Sequence, residues 1–66
     1  MKTYCVNNRT QANGDHEVHT DDCRYLPNSR TMLGNHLTCH SAVTQAKKIY
    51  KTANGCKTCS TSCHTS

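Results

Sequence analysis

The sequence predicts a small α+β domain, and three observations support this fold class. An Asn13-Gly14 pair stands between two short segments of strand-forming residues, as in a β-hairpin. Apolar residues at spacings of three and four follow over residues 41–53 and predict one main helix. Six cysteines in only 66 residues indicate that cross-links or a metal staple the domain.

The hairpin is predicted from the segments TYCV and HEVHT, which flank a stretch rich in turn residues. Asparagine and glycine both tolerate a positive φ, so the Asn-Gly pair suits the turn. Side chains alternate along a strand, which places His16 and Val18 on one face and Glu17 and His19 on the other.

A third short strand is compatible with the segment RTMLGNHLTC, after a loop that ends near Pro27. Strand-forming residues occur around Met32–Leu33 and again near Leu37, and Gly34-Asn35 interrupts them.

The main helix is the clearest element of the sequence. Thr38 or Ser41 is suited to cap its start, and Asn54-Gly55 is expected to end it through a positive φ. One face of the helix is apolar and consists of Ala42, Val43, Ala46, Ile49, Tyr50 and Ala53.

Length and composition predict one domain over residues 1–66 with a weak core. A chain this short buries only roughly 60% of the surface that its unfolded form exposes. The hydrophobic fraction is 33%, and the sequence has neither Phe nor Trp. We expect a cytoplasmic protein, because no signal peptide or membrane-spanning segment is recognisable, with a secreted protein as the alternative if the cysteines form disulfides.

The net charge of +4 is unevenly distributed. All four acidic residues lie between Asp15 and Asp22, whereas residues 23–66 carry six Lys or Arg and no acid. A basic half can attract a nucleic acid or an anionic protein, although a solvated surface that aids solubility is the simpler explanation of the charge. No aromatic and basic stripe of the kind that binds single-stranded nucleic acid accompanies the charge.

The cysteine and histidine spacing points to a zinc site. Cys56 and Cys59 form a C-x2-C pair directly after a glycine, which lets two thiolates bind one ion. A closed tetrahedral site needs two more ligands, and His19 and Cys23 are the best second pair because they are close in sequence at the end of the hairpin.

These residues resemble a known family. The pattern HEVHTDDCRYL…LTCHSAVTQAKKIYKTANGCKTC is similar to the Ada-type metal-binding domain, the small zinc module of the Ada DNA-repair methyltransferase. The resemblance covers about residues 16–59 and implies a Zn²⁺ ion held by His19, Cys23, Cys56 and Cys59.

This chain departs from that family at the first ligand. In the repair protein the first ligand is a cysteine that accepts a methyl group from a DNA phosphotriester, whereas the matching residue here is His19. A neutral imidazole is no comparable methyl acceptor, so methyl transfer is not expected. The gap between the ligand pairs is also longer here, and the end of the chain, CSTSCHTS, has no counterpart.

Three alternatives remain open from the residues alone. Six cysteines could form the disulfide framework of a secreted mini-protein. Cys59-x3-Cys63-His64 is one residue longer than a covalent haem attachment motif. The C-x2-C pair could also support thiol redox chemistry, although that chemistry favours a helix start over a helix end.

The remaining residues have simpler expected roles. Cys5 is expected to be a small buried residue of the first strand, and His16 an ordinary strand residue. Cys39 and Cys63 are either reduced or bridged to each other, and Cys63 could replace His19 in an all-thiolate site. We expect no enzymatic activity: the function predicted is recognition of a protein or nucleic acid by a structural-zinc domain, with no role at a membrane.

Overall fold

The computed structural model describes residues 1–64 and confirms the α+β class. The elements in chain order are β1 Lys2–Asn7, β2 His16–Thr20, β3 Arg30–His36, α1 Cys39–Lys47, β4 Ala53–Gly55 and a short 3₁₀ helix, Thr61–Cys63. The strands form one sheet in the order β3-β1-β2-β4. The β2–β4 pair is parallel, and the other two pairs are antiparallel. No helix within residues 1–64 has the length and apolar character needed to cross a membrane.

The predicted hairpin is confirmed as β1 and β2. The register places Cys5 opposite His19 and Val6 opposite Val18. Gly14 has a φ of +90° in the connecting turn, a conformation that favours glycine. Both predicted strands therefore exist, and the segment HEVHT matches β2 residue for residue.

The third strand is longer and more continuous than the sequence suggested. It pairs with β1 along its length, and a bulge absorbs one extra residue where Tyr4 faces Gly34 and Cys5 faces Met32. Gly34 has a φ of +81°, so it shapes the bulge and does not interrupt the strand. Leu37, expected to begin a further strand piece, lies beyond β3 and is 81% exposed.

The helix prediction is wrong at its C-terminal end. The helix runs over Cys39–Lys47, and Asn54-Gly55 does not end it but belongs to β4. Gly55 is not among the glycines with positive φ. Parallel pairing with β2 explains the difference, because it buries residues 53–55 and pairs their backbone groups, which a longer helix could not do here. At the other end, Thr38 occupies the N-cap position, but its side chain makes no capping hydrogen bond.

The sheet is covered on both of its faces at β2. Helix α1 packs on one face, where the core consists of Tyr4, Val6, Val18, Leu33, Cys39, Ala42, Ala46 and Ala53. Because neighbouring residues of a strand point to opposite faces, His19 and its partner Cys5 lie on the other face. Both His19 and Cys5 are buried there, so a second structural unit must cover that face.

Candidate metal centre

That second unit is a cluster of four metal-ligating side chains. The ligand atoms of His19, Cys23, Cys56 and Cys59 all lie within 4.8 Å of one another. The Sγ atoms of Cys23 and Cys56 are 4.0 Å apart, and Sγ of Cys59 lies 3.7 Å from Nδ1 of His19. Sulfurs bound to one tetrahedral zinc ion at about 2.3 Å are ~3.8 Å apart. The two predicted pairs are therefore brought together and positioned to bind a metal ion.

The end of β2 and the turn after it place the first pair. His19 is held in register by its pairing with Cys5, and it is 1% exposed. The backbone N–H of Cys23 donates to the carbonyl of Thr20 at 3.2 Å, which closes a turn immediately after the strand. This turn returns the Cys23 thiol to the same side as the His19 ring.

The segment after β4 places the second pair. The N–H of Cys56 donates to the carbonyl of Val18 at 2.9 Å, so the ladder between β2 and β4 continues into the site. The N–H of Thr58 points at Sγ of Cys56, and the N–H of Thr20 points at Sγ of Cys59, each at 3.4 Å. Amide donors directed at sulfur stabilise thiolates, which are the form that binds metal.

Glu17 lies beside the cluster, and the spacing of the candidate ligands alone did not single it out. Its Oε1 atom lies 3.3 Å from Nε2 of His19, the ring nitrogen that faces away from the sulfur of Cys59. Metal-binding histidines commonly donate their second N–H to a carboxylate, and Glu17 is the carboxylate placed beside that nitrogen. The signal in the sequence was the spacing of two residues on one strand, which places Glu17 and His19 on the same face.

Burial shifts the acid–base behaviour of the cluster. It lowers the pKa of His19 below 6.5, against the opposing effect of Glu17, which favours the neutral ring that binds metals. Burial raises the pKa of Cys23 to about 12 and raises that of Cys56. Burial also opposes ionisation of Cys59, but hydrogen bonds from Thr20 and neighbouring groups outweigh it, so that pKa lies below its usual value.

The other candidate residues lie outside this cluster. Cys5 is buried and unbridged, as expected for a small core residue. His16 stacks on Tyr50 with ring centroids 3.8 Å apart, and its Nδ1 lies 2.9 Å from the carbonyl oxygen of Asn7. His16 is therefore a packing residue, as the sequence suggested. His36 ends β3 and is half-buried against Tyr4.

Cys39 and Cys63 form a disulfide across 24 residues. The all-thiolate alternative, in which Cys63 replaces His19, is wrong, since Cys63 is bonded elsewhere. The bond also removes Cys63 from the haem-like C-x3-C-H motif, and Nδ1 of His64 lies 3.0 Å from the carbonyl oxygen of Gly55. The other four cysteines are unbridged, so only one pair of a disulfide framework is present.

Comparisons of the chain with protein-family models, with curated proteins and with solved structures found no match. The resemblance to the Ada-type domain therefore remains a hypothesis that rests on the residue pattern.

Proposed function

We propose that this protein is a small structural-zinc domain that acts as a recognition module. The supporting observation is the cluster of one imidazole and three thiols, whose ligand atoms all lie within 4.8 Å of one another and of which only Cys59 is partly exposed. Nitrogen and sulfur donors in a four-ligand set are typical of zinc, and a set that fills all four positions is typical of structural sites. Such a site leaves no open position for a substrate.

A zinc ion here would supply the stability that the core lacks. Cys23 and Cys56 are 33 residues apart in sequence, so one ion would clamp the end of the hairpin to the segment after β4. Structural zinc contributes about 10–16 kcal/mol of apparent binding free energy near neutral pH. A small domain is stabilised by only about 5–15 kcal/mol in total, so the ion would supply a large part of the stability of the folded state.

Under this proposal the domain is related to the Ada-type module but is not an enzyme. His19 occupies the position of the methyl-accepting cysteine, so zinc binding is retained and methyl transfer is not. The protein would act in the cytoplasm, where the thiols of the cluster stay reduced.

The basic half of the chain is the proposed contact surface for an anionic partner, a nucleic acid or an acidic protein. Within residues 23–64, the basic side chains are all exposed: Arg24, Arg30, Lys47, Lys48, Lys51 and Lys57. Substituting Lys47 and Lys51 by Gln should weaken binding to duplex DNA and reduce its salt dependence. The Lys2→Gln/Arg9→Gln double variant in the acidic half is the matched control, because it also removes two exposed positive charges. Binding that does not weaken as salt rises would contradict an electrostatic contact.

Intact mass and metal analysis test the zinc proposal directly. We expect one zinc ion per chain under native conditions and, after denaturation without reductant, four free thiols and one disulfide. The Cys39–Cys63 bond favours a second candidate, a disulfide-stapled protein of an oxidising compartment. That candidate predicts no metal and a denatured mass lower by six hydrogens, a result that would reject the zinc domain.

A further inference from the structure

A second group of metal-ligating side chains lies at the start of α1. The sulfurs of Cys39 and Cys63 and a ring nitrogen of His40 all lie within 4.8 Å of one another. Cys39 and His40 are adjacent residues at the start of α1. Cys63 comes from the 3₁₀ helix beside the start of α1, so both side chains reach toward it. The group shares no residue with the four-ligand cluster.

We propose that reduction of the Cys39–Cys63 disulfide opens a second metal site, formed by Cys39, His40 and Cys63 and suited to Zn²⁺. A cellular dithiol reduces the bond by two thiol–disulfide exchanges, which oxidise the dithiol to its own disulfide and leave two protein thiols. Zn²⁺ then replaces one proton on each thiol and takes the neutral imidazole as its third ligand. Two cysteines and one histidine are an established zinc donor set, with solvent in the fourth position.

The backbone permits this change without rearrangement. The Cα atoms of Cys39 and Cys63 are 6.2 Å apart, so rotation about the Cα–Cβ bonds can separate the sulfurs to the ~3.8 Å of a zinc-bound pair. The segment that carries Cys63 has anchors besides the disulfide. The Nδ1 atom of the next residue, His64, lies 3.0 Å from the carbonyl oxygen of Gly55 in β4, and within the segment the N–H of Cys63 donates to the carbonyl of Ser60 at 2.9 Å.

The surroundings suit an ion that keeps an open position. A surface cavity of about 290 Å³ adjoins the group and is lined by His40, Val43, Thr44, Lys47, Ser62 and Cys63. His40 is exposed, so solvent can reach the ion. Oγ of Ser62 lies 3.3 Å from Sγ of Cys39 and can donate to that sulfur as a thiolate. Zn²⁺ with two thiolates carries no net charge, so the nearby Lys47 does not oppose it.

The redox state would therefore set how many metal ions the chain binds. The oxidised protein binds one ion at the four-ligand cluster, and the reduced protein binds two. The two sites are distinguishable: if the four-ligand cluster fails to bind, the counts become zero and one, and the difference of one ion on reduction remains.

Counting bound zinc before and after reduction tests the inference. The purified chain is divided, one half is reduced with a phosphine that is then removed under nitrogen, and both halves are titrated with Zn²⁺ under native mass spectrometry. We expect one additional ion in the reduced half. Replacing Zn²⁺ by Co²⁺ should add thiolate-to-cobalt absorption on reduction. Equal zinc counts in the two halves would overturn the second site.

Variants assign the additional ion to named residues. His40→Gln should lower the affinity for the second ion by at least about tenfold and leave the first unchanged, since it removes one of three protein ligands. The Cys39→Ser/Cys63→Ser double variant should bind one ion in both redox states, and Cys5→Ala should behave like the parent. His40 is exposed and outside the core, so His40→Gln remains informative if the double variant does not fold. A second ion that survives both sets of substitutions would overturn the assignment.

Discussion

The imidazole of His19 bridges a carboxylate and a thiol: its Nε2 lies 3.3 Å from Oε1 of Glu17, and its Nδ1 lies 3.7 Å from Sγ of Cys59. A carboxylate at one nitrogen favours the proton there, which leaves the lone pair of Nδ1 directed at the cysteines. Glu17 and His19 are two residues apart on β2, so both side chains lie on the same face of the strand. The geometry of β2 therefore places the carboxylate beside the ring. The strand thus supplies both a candidate ligand and the carboxylate that lies beside its second nitrogen.

Glu17→Gln should therefore weaken metal binding without removing a ligand. The amide keeps the shape of the side chain but loses the charge that holds the proton on Nε2, and such substitutions cost about 10–100-fold in affinity. Chelator competition measures the change. Asp21→Asn is the matched control, because Asp21 is an exposed acid that also loses one charge. Equal affinities for the two variants would show that Glu17 does not orient the ring.

Removing a ligand should have a much larger effect than removing another buried side chain. His19→Ala is expected to lower the thermal transition of the metal-loaded protein to that of the metal-free parent or below, since metal binding and folding are coupled. Cys5→Ala is the control, because Cys5 is fully buried opposite His19 and should cost only about 1–2 kcal/mol. Circular dichroism during heating separates the two. Similar losses of thermal stability in His19→Ala and Cys5→Ala would indicate that side-chain packing on this face of the sheet, and not a metal ion, stabilises the domain.

The ligand pairs were predictable from the sequence because each is local. Three residues separate His19 from Cys23 and two separate Cys56 from Cys59, and such spacings are readable without a fold. That the pairs meet depends on parallel pairing of β2 and β4, which no local pattern indicated. Glu17 was missed for a similar reason: its role follows from where the His19 ring points.

The fold was predicted where local signals agree with long-range packing. The hairpin has both a turn signal and alternating side chains, so its strands were located closely. Strand β4 was missed because Ala53, Asn54 and Gly55 have weak strand propensity and form a strand only by pairing with β2. The predicted helix extended too far because Tyr50 and Ala53 continue the apolar spacing of the helix. Both residues pack against the core, but Tyr50 does so from the segment after the helix and Ala53 from β4.

Gly55→Ala should displace the segment that carries two of the ligands. A Cβ at this position would lie 2.7 Å from Cβ of Cys63 and 2.8 Å from the carbonyl oxygen of Ser60. The 3₁₀ helix must therefore move, and we expect a loss of about 1–3 kcal/mol together with weaker metal binding.

Gly14→Ala is the control for this substitution. It strains a positive φ in the hairpin turn but meets no atom within 4 Å, so it should cost about 1 kcal/mol and leave metal affinity unchanged. Unfolding with denaturant and chelator competition measure both quantities. Unchanged metal affinity in Gly55→Ala would show that the close approach to Cys63 does not position the ligands.

The disulfide should stabilise the domain separately from the metal. Closing a loop of 24 residues restricts the unfolded chain, which corresponds to about 3 kcal/mol. Under oxidising conditions, Cys63→Ser should lower the unfolding free energy of the zinc-loaded protein by about 3 kcal/mol. Under reducing conditions, with the second site kept free of metal, Cys63→Ser and the parent should have nearly the same unfolding free energy. A loss of equal size under both conditions would assign the effect to packing of Cys63.

Metal binding should release at least two protons near neutral pH. Cys23, with a pKa of about 12, and Cys56, with a raised pKa, are protonated in the metal-free protein, and both must ionise to bind. His19 contributes no proton, because its pKa is lowered and its ring is already neutral. Calorimetry in two buffers with different ionisation enthalpies counts the protons. Fewer than two would show that the thiols are already ionised without metal.

The pKa shifts of Cys23, Cys56 and His19 also set the direction in which metal affinity and stability change with pH. Because binding releases at least two protons, the apparent affinity should fall at least about a hundredfold for each unit that the pH is lowered below 7. The metal-free protein should also lose stability as the pH falls below 6.5, since the unfolded histidine then gains a proton that folded His19, with its lowered pKa, does not. His19→Gln should remove that second effect, and stability of the metal-free parent that rises with acidification would contradict the buried neutral ring.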